Sequence, residues 1–456
     1  MQNRCLSPQK PLFPLNTKTS HRPGSPAVIP RAEHCVSRKD ISDNALKVLY
    51  RLKDAEYEAY LVGGGVRDLL LGLKPKDFDV ATNAHPEQAQ QAFRNSRLIG
   101  RRFRLLHVRF GREIIEVATF RAHHDEESNH SEHHSHIRDG MLVRDNVYGT
   151  LEDDAWRRDF TINALYYDIR DFSVLDYTGG MRDLQARLIR VIGDPEQRYR
   201  EDPVRMLRAV RLAAKLDFAI EEHSAQAIES LKERLTAVPP ARLFEEVLKL
   251  FLTGHAVKSL QRLRQYALLG FLFPVTAAQL EQDPVFEKLV IQGLINTDER
   301  IAAGKPVTPA FLFAIFLWRP VALLTQRFQQ QDMSELQAMQ AASEEVLAQQ
   351  GGHVALPRRY SLQSREIWLL QARLRNRSGK RAYRSFSHPR FRAGYDFLLL
   401  RHQAGEPDLA ELCDWWTAFQ EQSEEGQHSM LKSVKSEGQG KPRRRRRHKR
   451  GRRAPE

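Results

Sequence analysis

Cysteine is scarce: Cys5, Cys35 and Cys413 are the only three in 456 residues. They are too few and too scattered for a disulfide framework or a thiolate zinc site, which argues for a reducing compartment and against secretion. Long apolar runs are also missing. No stretch approaches the ~20 consecutive apolar residues that a membrane span requires, so integral membrane association is not expected. The first residues carry prolines at 8, 11, 14, 23, 26 and 30 and no apolar signal core, so a cytoplasmic location is expected. No fixed-period repeat occurs, which argues against a solenoid. What is present is a globular composition, 41% hydrophobic, over a length that suits about three domains. The formal net charge is +14, with Lys+Arg 71 against Asp+Glu 57. Residues 441–456 alone hold ten Lys and Arg against one Glu, so the basic excess is largely an appendage.

Residues 1–40 are rich in Pro, Ser, Lys and Arg without periodicity and read as a disordered lead. From Ile41 the pattern is mixed α/β up to about residue 190. Leu46, Val48, Leu49 and Leu52 recur at helical spacing, and Ala59 to Gly65 reads as a strand entering a glycine turn. A helix over 66–71, a strand over 77–81 and a helix over 85–98 follow. Two extended runs, 104–110 and 113–120, are joined by Gly111-Arg112 as a hairpin. Within 122–138 six histidines are interspersed with Glu, Asp and Ser; the spacing matches no zinc signature, and a flexible loop is expected. Beyond Asp194 the reading is helical: a neck over 191–255, a body over 256–420, and a disordered Arg-rich tail over 421–456. The expected fold class is therefore α+β, a mixed-sheet head followed by all-helical neck and body domains.

The chemistry concentrates in two segments. In Asp77-Phe78-Asp79-Val80 an extended backbone sends Asp77 and Asp79 to one face and Phe78 and Val80 to the other. Two carboxylates on one face repel unless divalent cations lie between them and a polyphosphate. Thirteen residues before Asp77 is Gly64, within Leu61-Val62-Gly63-Gly64-Gly65-Val66-Arg67-Asp68. There a strand ends in glycines at the start of a helix, where backbone N–H groups can approach a phosphate closely. Gly63, Gly64 and Arg67 are the candidate phosphate-positioning residues, and Asp68 is a candidate nucleotide-binding residue beside them. A glycine cradle followed by a two-carboxylate strand reads as a nucleotidyltransferase.

The strings GGGVRDLLLGLKPKDFDVAT, EIIEVATFR, RRDFTINALYYD and EDPVRMLRAVRLAAK resemble the class II nucleotidyltransferases of the DNA polymerase β superfamily, over roughly residues 40 to 250. That group includes bacterial poly(A) polymerases and CCA-adding enzymes, and the segment LIGRRFRLLHV, with the Arg-rich C-terminus, is similar to the poly(A) polymerase branch. The resemblance implies transfer of AMP from ATP to RNA 3′ ends, dependent on Mg²⁺ and promoting RNA decay, with RNA-decay proteins as candidate partners. It makes Asp159 of Arg157-Arg158-Asp159-Phe160 the third carboxylate beside Asp77 and Asp79. Glu116 is the rival, because it shares a strand face with Ile114 and Ala118, and its plainer reading is a partner for Arg121. By the same resemblance Arg158 and Asn163 contact ribose or triphosphate, and Asp202 and Arg205 read a base edge. Arg205, Arg208, Arg211 and Lys215 form one helical stripe; Arg208 is a candidate for base or phosphate, and a solvated face is the alternative. Arg443, Arg444, Arg445, Arg446 and Arg447 suit sequence-independent contact with RNA phosphates. A CCA-adding enzyme and a non-catalytic RNA-binding adaptor remain as alternatives.

Overall fold

The computed structural model describes residues 25–100, 104–122, 135–138, 141–145 and 147–437. Strands β1 (Ala27–Ile29), β2 (Ala59–Val62), β3 (Asp79–Thr82), β4 (Ser96–Ile99), β5 (Leu105–Phe110) and β6 (Glu113–Thr119) belong to one sheet. Strands β7 (Ser135–Arg138) and β8 (Met141–Asp145) form a separate antiparallel pair. The main sheet is completed by β9 (Leu165–Asp168) and β10 (Val174–Asp176). Its order is β1-β10-β9-β2-β3-β6-β5-β4, antiparallel throughout except for the parallel pair of β3 with β6.

Alternation along the strands decides what each face does. Leu61, Val80 and Val117 are buried on one face, and helix α1 (Asp43–Asp54) crosses β2, β3 and β6 with Ala45, Val48, Leu49 and Leu52 buried. The other face carries Tyr60, Val62, Ala81 and Tyr166, which pack with Phe120 and with Leu151 and Ala155 of a helix over Leu151–Trp156. Asp79 and Glu116 lie on this second face as register partners, beside Val62. Helix α2 (Gly64–Leu70) follows β2, and α3 (Pro86–Ala92) packs against β4, β5 and β6. The helix over Leu151–Trp156 is α4, and α5 (Gly180–Ala186), α6 (Pro195–Glu201) and α7 (Val204–Leu216) continue the chain.

By chain contacts the protein divides into two compact units, 1–239 with 258–268, and 240–257 with 269–456. The second is helical throughout its described residues, with a core that includes Leu374, Phe391, Tyr395, Leu398, Trp416 and Phe419. Trp416 is fully buried and its indole N–H donates to the Leu374 carbonyl, while Trp415 packs on the same core, as expected of packing residues. No single helix among the described residues is long and apolar enough to cross a membrane. The α+β class, with a mixed-sheet head before helical regions, is what the chain adopts.

Several local expectations differ. The strand expected over 77–81 starts at Asp79, the first residue with a register partner on β2; Asp77 precedes the ladder, although Phe78 and Val80 are buried as alternation requires. The helix expected over 85–98 ends at Ala92, and Ser96–Ile99 becomes an edge strand because β5 is there to pair with it. The lead expected over 1–40 is ordered in part: β1 pairs with β10, and His34 and Val36 are buried. In the tail expected over 421–456, Glu421 ends one helix and Glu424–Glu437 forms another, and 438–456 lie outside the described residues. Only part of the His-rich segment 122–138 is described, and its end is the strand β7. The region after 190 includes, among its helices, the two-residue strand Ala219–Ile220, which pairs in parallel with Leu188–Ile189.

Asp176 gathers the backbone N–H groups of Thr178, Gly179, Gly180 and Met181, which brings the start of α5 down onto the 159–163 segment. A β-carbon at Gly180 would overlap the Thr161 carbonyl. Gly180→Ala is therefore expected to lose about 1–3 kcal/mol, or more where the backbone has to move. The check is a lower urea midpoint with an unchanged slope; a wild-type midpoint would contradict this packing.

Candidate active site

Where β2 ends, Gly63 adopts φ +76, a conformation open to glycine, and starts α2. A β-carbon on Gly63 would lie 3.6 Å from Asp79 Oδ2 and 3.8 Å from Arg158 Nη1. One on Gly65 would lie 3.4 Å from the Asp77 carbonyl and 3.5 Å from the Phe78 ring. The glycine turn and the two-aspartate segment, separated in sequence, are thus packed directly on each other, and side chains at 63 and 65 would crowd this approach.

Asp79 is half-buried and Asp77 exposed. Burial is the main reason that the Asp79 carboxyl is pushed up to about 6; the Glu116 charge pushes the same way, Arg158 opposes, and Asp77 adds a further upward push. The group that crowds Asp79 most is thus Glu116, its register partner on the parallel strand β6. On its other side Glu116 meets His107 of β5, whose Nε2 is 3.2 Å from Glu116 Oε1. Arg121, considered as a partner for Glu116, donates its backbone N–H to Asp154 and its guanidinium to the Arg104 carbonyl. Among the described residues no group of three or more His, Cys, Asp or Glu side chains is arranged to hold a metal ion. The carboxylates of Asp77 and Glu116 both act on Asp79, with Arg158 offsetting part of the repulsion, and their oxygens are hard donors of the kind a divalent cation takes.

The cation facing this cluster is held from behind. Asp154, 1% exposed, accepts from Arg157 through Oδ1 (3.0 and 2.7 Å) and from Arg158 through Oδ2 (3.1 and 2.8 Å). The Tyr166 hydroxyl also donates to Oδ2, at 2.8 Å. Burial works against the Asp154 charge, but the two guanidiniums outweigh it and hold the carboxyl well below the usual range. Arg158 spends Nε and Nη2 on this anchor, and its Nη1 is the atom that flanks Gly63. Arg198 of α6 donates to the carbonyls of Arg157 and Arg158 and fixes the same turn from its backbone side. Asp154 and Arg198 were not among the expected site residues. The i, i+3 and i, i+4 spacing of Asp154 to Arg157 and Arg158 was the available signal.

Asp159 is engaged by basic and amide partners. Its Oδ2 pairs with Arg208 Nη2 at 2.5 Å, and its Oδ1 accepts from the Phe160 N–H (2.8 Å) and from Asn163 Nδ2 (3.3 Å). Burial opposes its ionisation, yet Arg208, Asn163 and Arg205 keep its pKa below the ordinary value. Asn163 Oδ1 accepts from Arg67 Nη1 at 2.6 Å, Arg67 forks onto Asp68 Oδ1, and Lys215 Nζ reaches Asp68 Oδ2 at 2.8 Å. A continuous polar chain therefore runs from Asp68 through Arg67, Asn163 and Asp159 to Arg208. The stripe on α7 is half-buried and pairs with acids at Arg208 and Lys215, so it is neither a solvated face nor a row of free cations. Arg205 Nη1 donates to the Arg198 carbonyl (2.6 Å) and to Glu201 (2.8 Å), and Asp202 Oδ1 accepts from the Val204 N–H at 3.3 Å. Arg443 to Arg447 lie outside the described residues.

Comparison with known proteins identifies the family. Residues 59–190 match the model of the poly A polymerase head domain, 217–280 that of a probable RNA and SrmB-binding site of polymerase A, and 331–451 that of the polymerase A arginine-rich C-terminus. Poly(A) polymerase I of Salmonella typhimurium is 51% identical over 423 residues, 92% of this chain and 90% of that protein. The chain belongs to the poly(A) polymerase family. It is a nucleotidyltransferase that, like the family, uses a nucleotide and a divalent metal and acts with RNA. The likeness of this family member to a CCA-adding enzyme of Lactobacillus helveticus, 39% identical, spans only 49% of the chain and 53% of that enzyme. Among solved structures, a Bacillus stearothermophilus CCA-adding enzyme in complex with CTP matches with a TM-score of 0.52 at 25% identity, covering 86% of this chain and 82% of that one.

Two outcomes follow from the buried charges. Asp154→Ala leaves two guanidiniums without their counter-ion and is expected to cost about 3–5 kcal/mol in urea melts. Tyr166→Phe, which removes one hydrogen bond, should cost about 1 kcal/mol, and equal losses would contradict the anchor. Asp79 titrates near 3.8 when unfolded and near 6 when folded, so the folded state holds the extra proton between these values. Stability without divalent cations therefore falls as pH rises through this window. Asp79→Asn should remove that fall, giving a variant that gains on wild type above pH about 6 in chelator; parallel pH profiles would contradict it.

Proposed function

We propose that this protein is a template-independent polynucleotide adenylyltransferase that adds AMP from ATP to RNA 3′ ends. The observation that carries the reading is the packing of Gly63 against both Asp79 and Arg158, with Glu116 in register beside Asp79. Asp77, Asp79 and Glu116 are proposed as the carboxylates that hold Mg²⁺. Glu116 takes the place first given to Asp159, because Glu116 is the carboxylate that acts on Asp79 whereas Asp159 is committed to Arg208 and Asn163. When bound there, the cations lower the pKa of the attacking 3′-hydroxyl and neutralise the triphosphate and the departing pyrophosphate.

The chain's own groups do the positioning. The backbone at Gly63 and Gly64 and the Nη1 of Arg158 receive phosphate oxygens, with Arg158 aimed by Asp154. Asp79 ionises at about 6, below neutrality, so it is a carboxylate when the reaction runs. Asp159 and Asn163 hold Arg208 and Arg67 in one network, so ribose and phosphate contacts from either side share a single geometry. Asp202 and Arg205 address the base edge, and the backbone tether of Arg205 to Arg198 limits the bases it can meet. With the reactants aligned, transfer needs little covalent help: the 3′-oxygen bonds the α-phosphorus as the bond to pyrophosphate breaks. Arg443 to Arg447 supply sequence-independent contact with RNA phosphates. Three isolated cysteines suit a cytoplasmic enzyme, and RNA-decay proteins are proposed as partners.

The test is incorporation into an RNA 3′ end from each NTP singly, with and without Mg²⁺. ATP alone should give long homopolymer; addition that stops after a few residues on tRNA would favour a CCA-adding enzyme instead. Asp77→Ala, Asp79→Ala and Glu116→Gln should each lower kcat at least ~100-fold with RNA binding retained. Asp159→Asn should act mainly on KM for ATP. A Glu116→Gln enzyme with wild-type kcat beside an inactive Asp159→Asn would return the third place to Asp159.

A further inference from the structure

Between Glu366 and Asp396 the chain has 29 residues with no acid and eight Lys or Arg, at 373, 375, 377, 380, 381, 384, 390 and 392. At the centre of this stretch is the short helix Lys380–Phe386. One side of it is fixed. Ala382 and Ser385 are buried, the Tyr383 ring meets Phe419 with centroids 5.9 Å apart, and the Phe386 ring meets Phe391 at 5.0 Å and Phe419 at 5.4 Å. The other side presents Lys380, Arg381 and Arg384, all exposed, and exposed Arg373 closes the preceding helix. Arg375, Arg377, Arg390 and Arg392 each have an acidic partner. Arg373, Lys380, Arg381 and Arg384 form no ion pair among the described residues.

This charge pattern works against the helix that carries it. Lys380 and Arg381 occupy its first turn, where the helix dipole favours acids, and no acid is present there. Gly379 before them provides no side-chain cap. Arg384 follows Arg381 by three residues and Lys380 by four, so like charges repel on one side of the helix. Local rules of helix design are broken together, and aromatic packing keeps the helix in place regardless. Such a conflict marks a surface selected for something other than stability. A polyanion laid along it would relieve all of these repulsions at once.

We propose that the side of the Lys380–Phe386 helix formed by Lys380, Arg381 and Arg384, extended by Arg373, is a docking surface for the sugar-phosphate backbone of RNA. The proposal rests on the adenylyltransferase reading, since the RNA it holds is the one being extended. Contact is with phosphates and carries no base preference, because the exposed groups are cations without a free aromatic ring among them.

The experiment titrates a labelled single-stranded RNA against the full-length protein over a range of KCl concentrations. It compares wild type with the variant in which Arg373, Lys380, Arg381 and Arg384 are all changed to Gln. Each lost phosphate contact lowers the slope of log K against log salt by about 0.7, so the quadruple variant should lose up to about 2.8 units. KM for a long RNA should rise at least tenfold while kcat at saturating RNA stays at the wild-type value. The melting temperature should hold or rise, because repulsion has been removed. Arg373→Lys, Arg381→Lys and Arg384→Lys together should restore the slope, which separates charge from any folding defect. An unchanged salt slope in the Gln variant overturns the proposal, including the case where an acidic protein partner is lost instead. Failure of the wild-type protein to add AMP would overturn the functional reading while leaving the RNA-binding slope to be judged independently.

Discussion

Carboxylates crowded on one margin of a sheet are the constraint on which the rest depends. Asp79 and Glu116 are register partners on parallel strands, so their side chains leave the same face beside each other, and Asp77 adds a third negative charge just before the strand. Nothing in the fold neutralises this group fully: Arg158 offsets part of the repulsion, and the Asp79 carboxyl still stands at about 6. The fold could have removed the conflict by substitution. Instead it packs a glycine turn against it, so close that Gly63 has Asp79 and Arg158 within van der Waals reach of a β-carbon it does not carry. Negative charge only partly offset beside a glycine turn is the pairing on which the proposed catalytic reading rests.

The surrounding architecture aims this site rather than adding to it. The face that α4 covers leaves Asp79 and Glu116 at its margin, and the same helix carries Asp154, buried against Tyr166. Through Asp154 the packing of α4 on the sheet determines where the Arg158 guanidinium points. From the opposite direction α6 clamps the Arg157 and Arg158 carbonyls, and α7 brings Arg208 to Asp159 and Lys215 to Asp68. Helices after the head are therefore tied by charge to the catalytic turn. A helix stripe that looked like a row of nucleotide-facing cations is half spent on this connection.

Much of this was legible in the residues. The alternation of Asp77-Phe78-Asp79-Val80 and the glycines after Val62 picked out two segments that pack on each other, because strand periodicity and glycine turns are local properties. The family strings predicted the fold class for the same chain. The neighbour of Asp79 was not legible: the family resemblance favoured Asp159 as the third carboxylate, with Glu116 as its rival, and the parallel register of β3 with β6 sets Glu116 beside Asp79. Asp154 sat among the acids of Glu152-Asp153-Asp154; its spacing to Arg157 and Arg158 was the one local signal, and its burial is a tertiary property. Similarly, Ser96–Ile99 is a strand because β5 lies next to it, and Ala27–Ile29 is part of the sheet because β10 presents an edge. These are tertiary decisions that a local pattern does not contain.

The central claim is that Asp79 and Glu116 jointly bind divalent cation beneath the Gly63 turn. The most direct measurement is Mn²⁺ binding followed by electron paramagnetic resonance, with a non-hydrolysable ATP analogue present, in wild type, Asp79→Asn, Glu116→Gln and Asp159→Asn. The account predicts that the first two substitutions each weaken Mn²⁺ binding at least tenfold and that Asp159→Asn leaves it near the wild-type value. Wild-type Mn²⁺ affinity in Asp79→Asn or Glu116→Gln would contradict it.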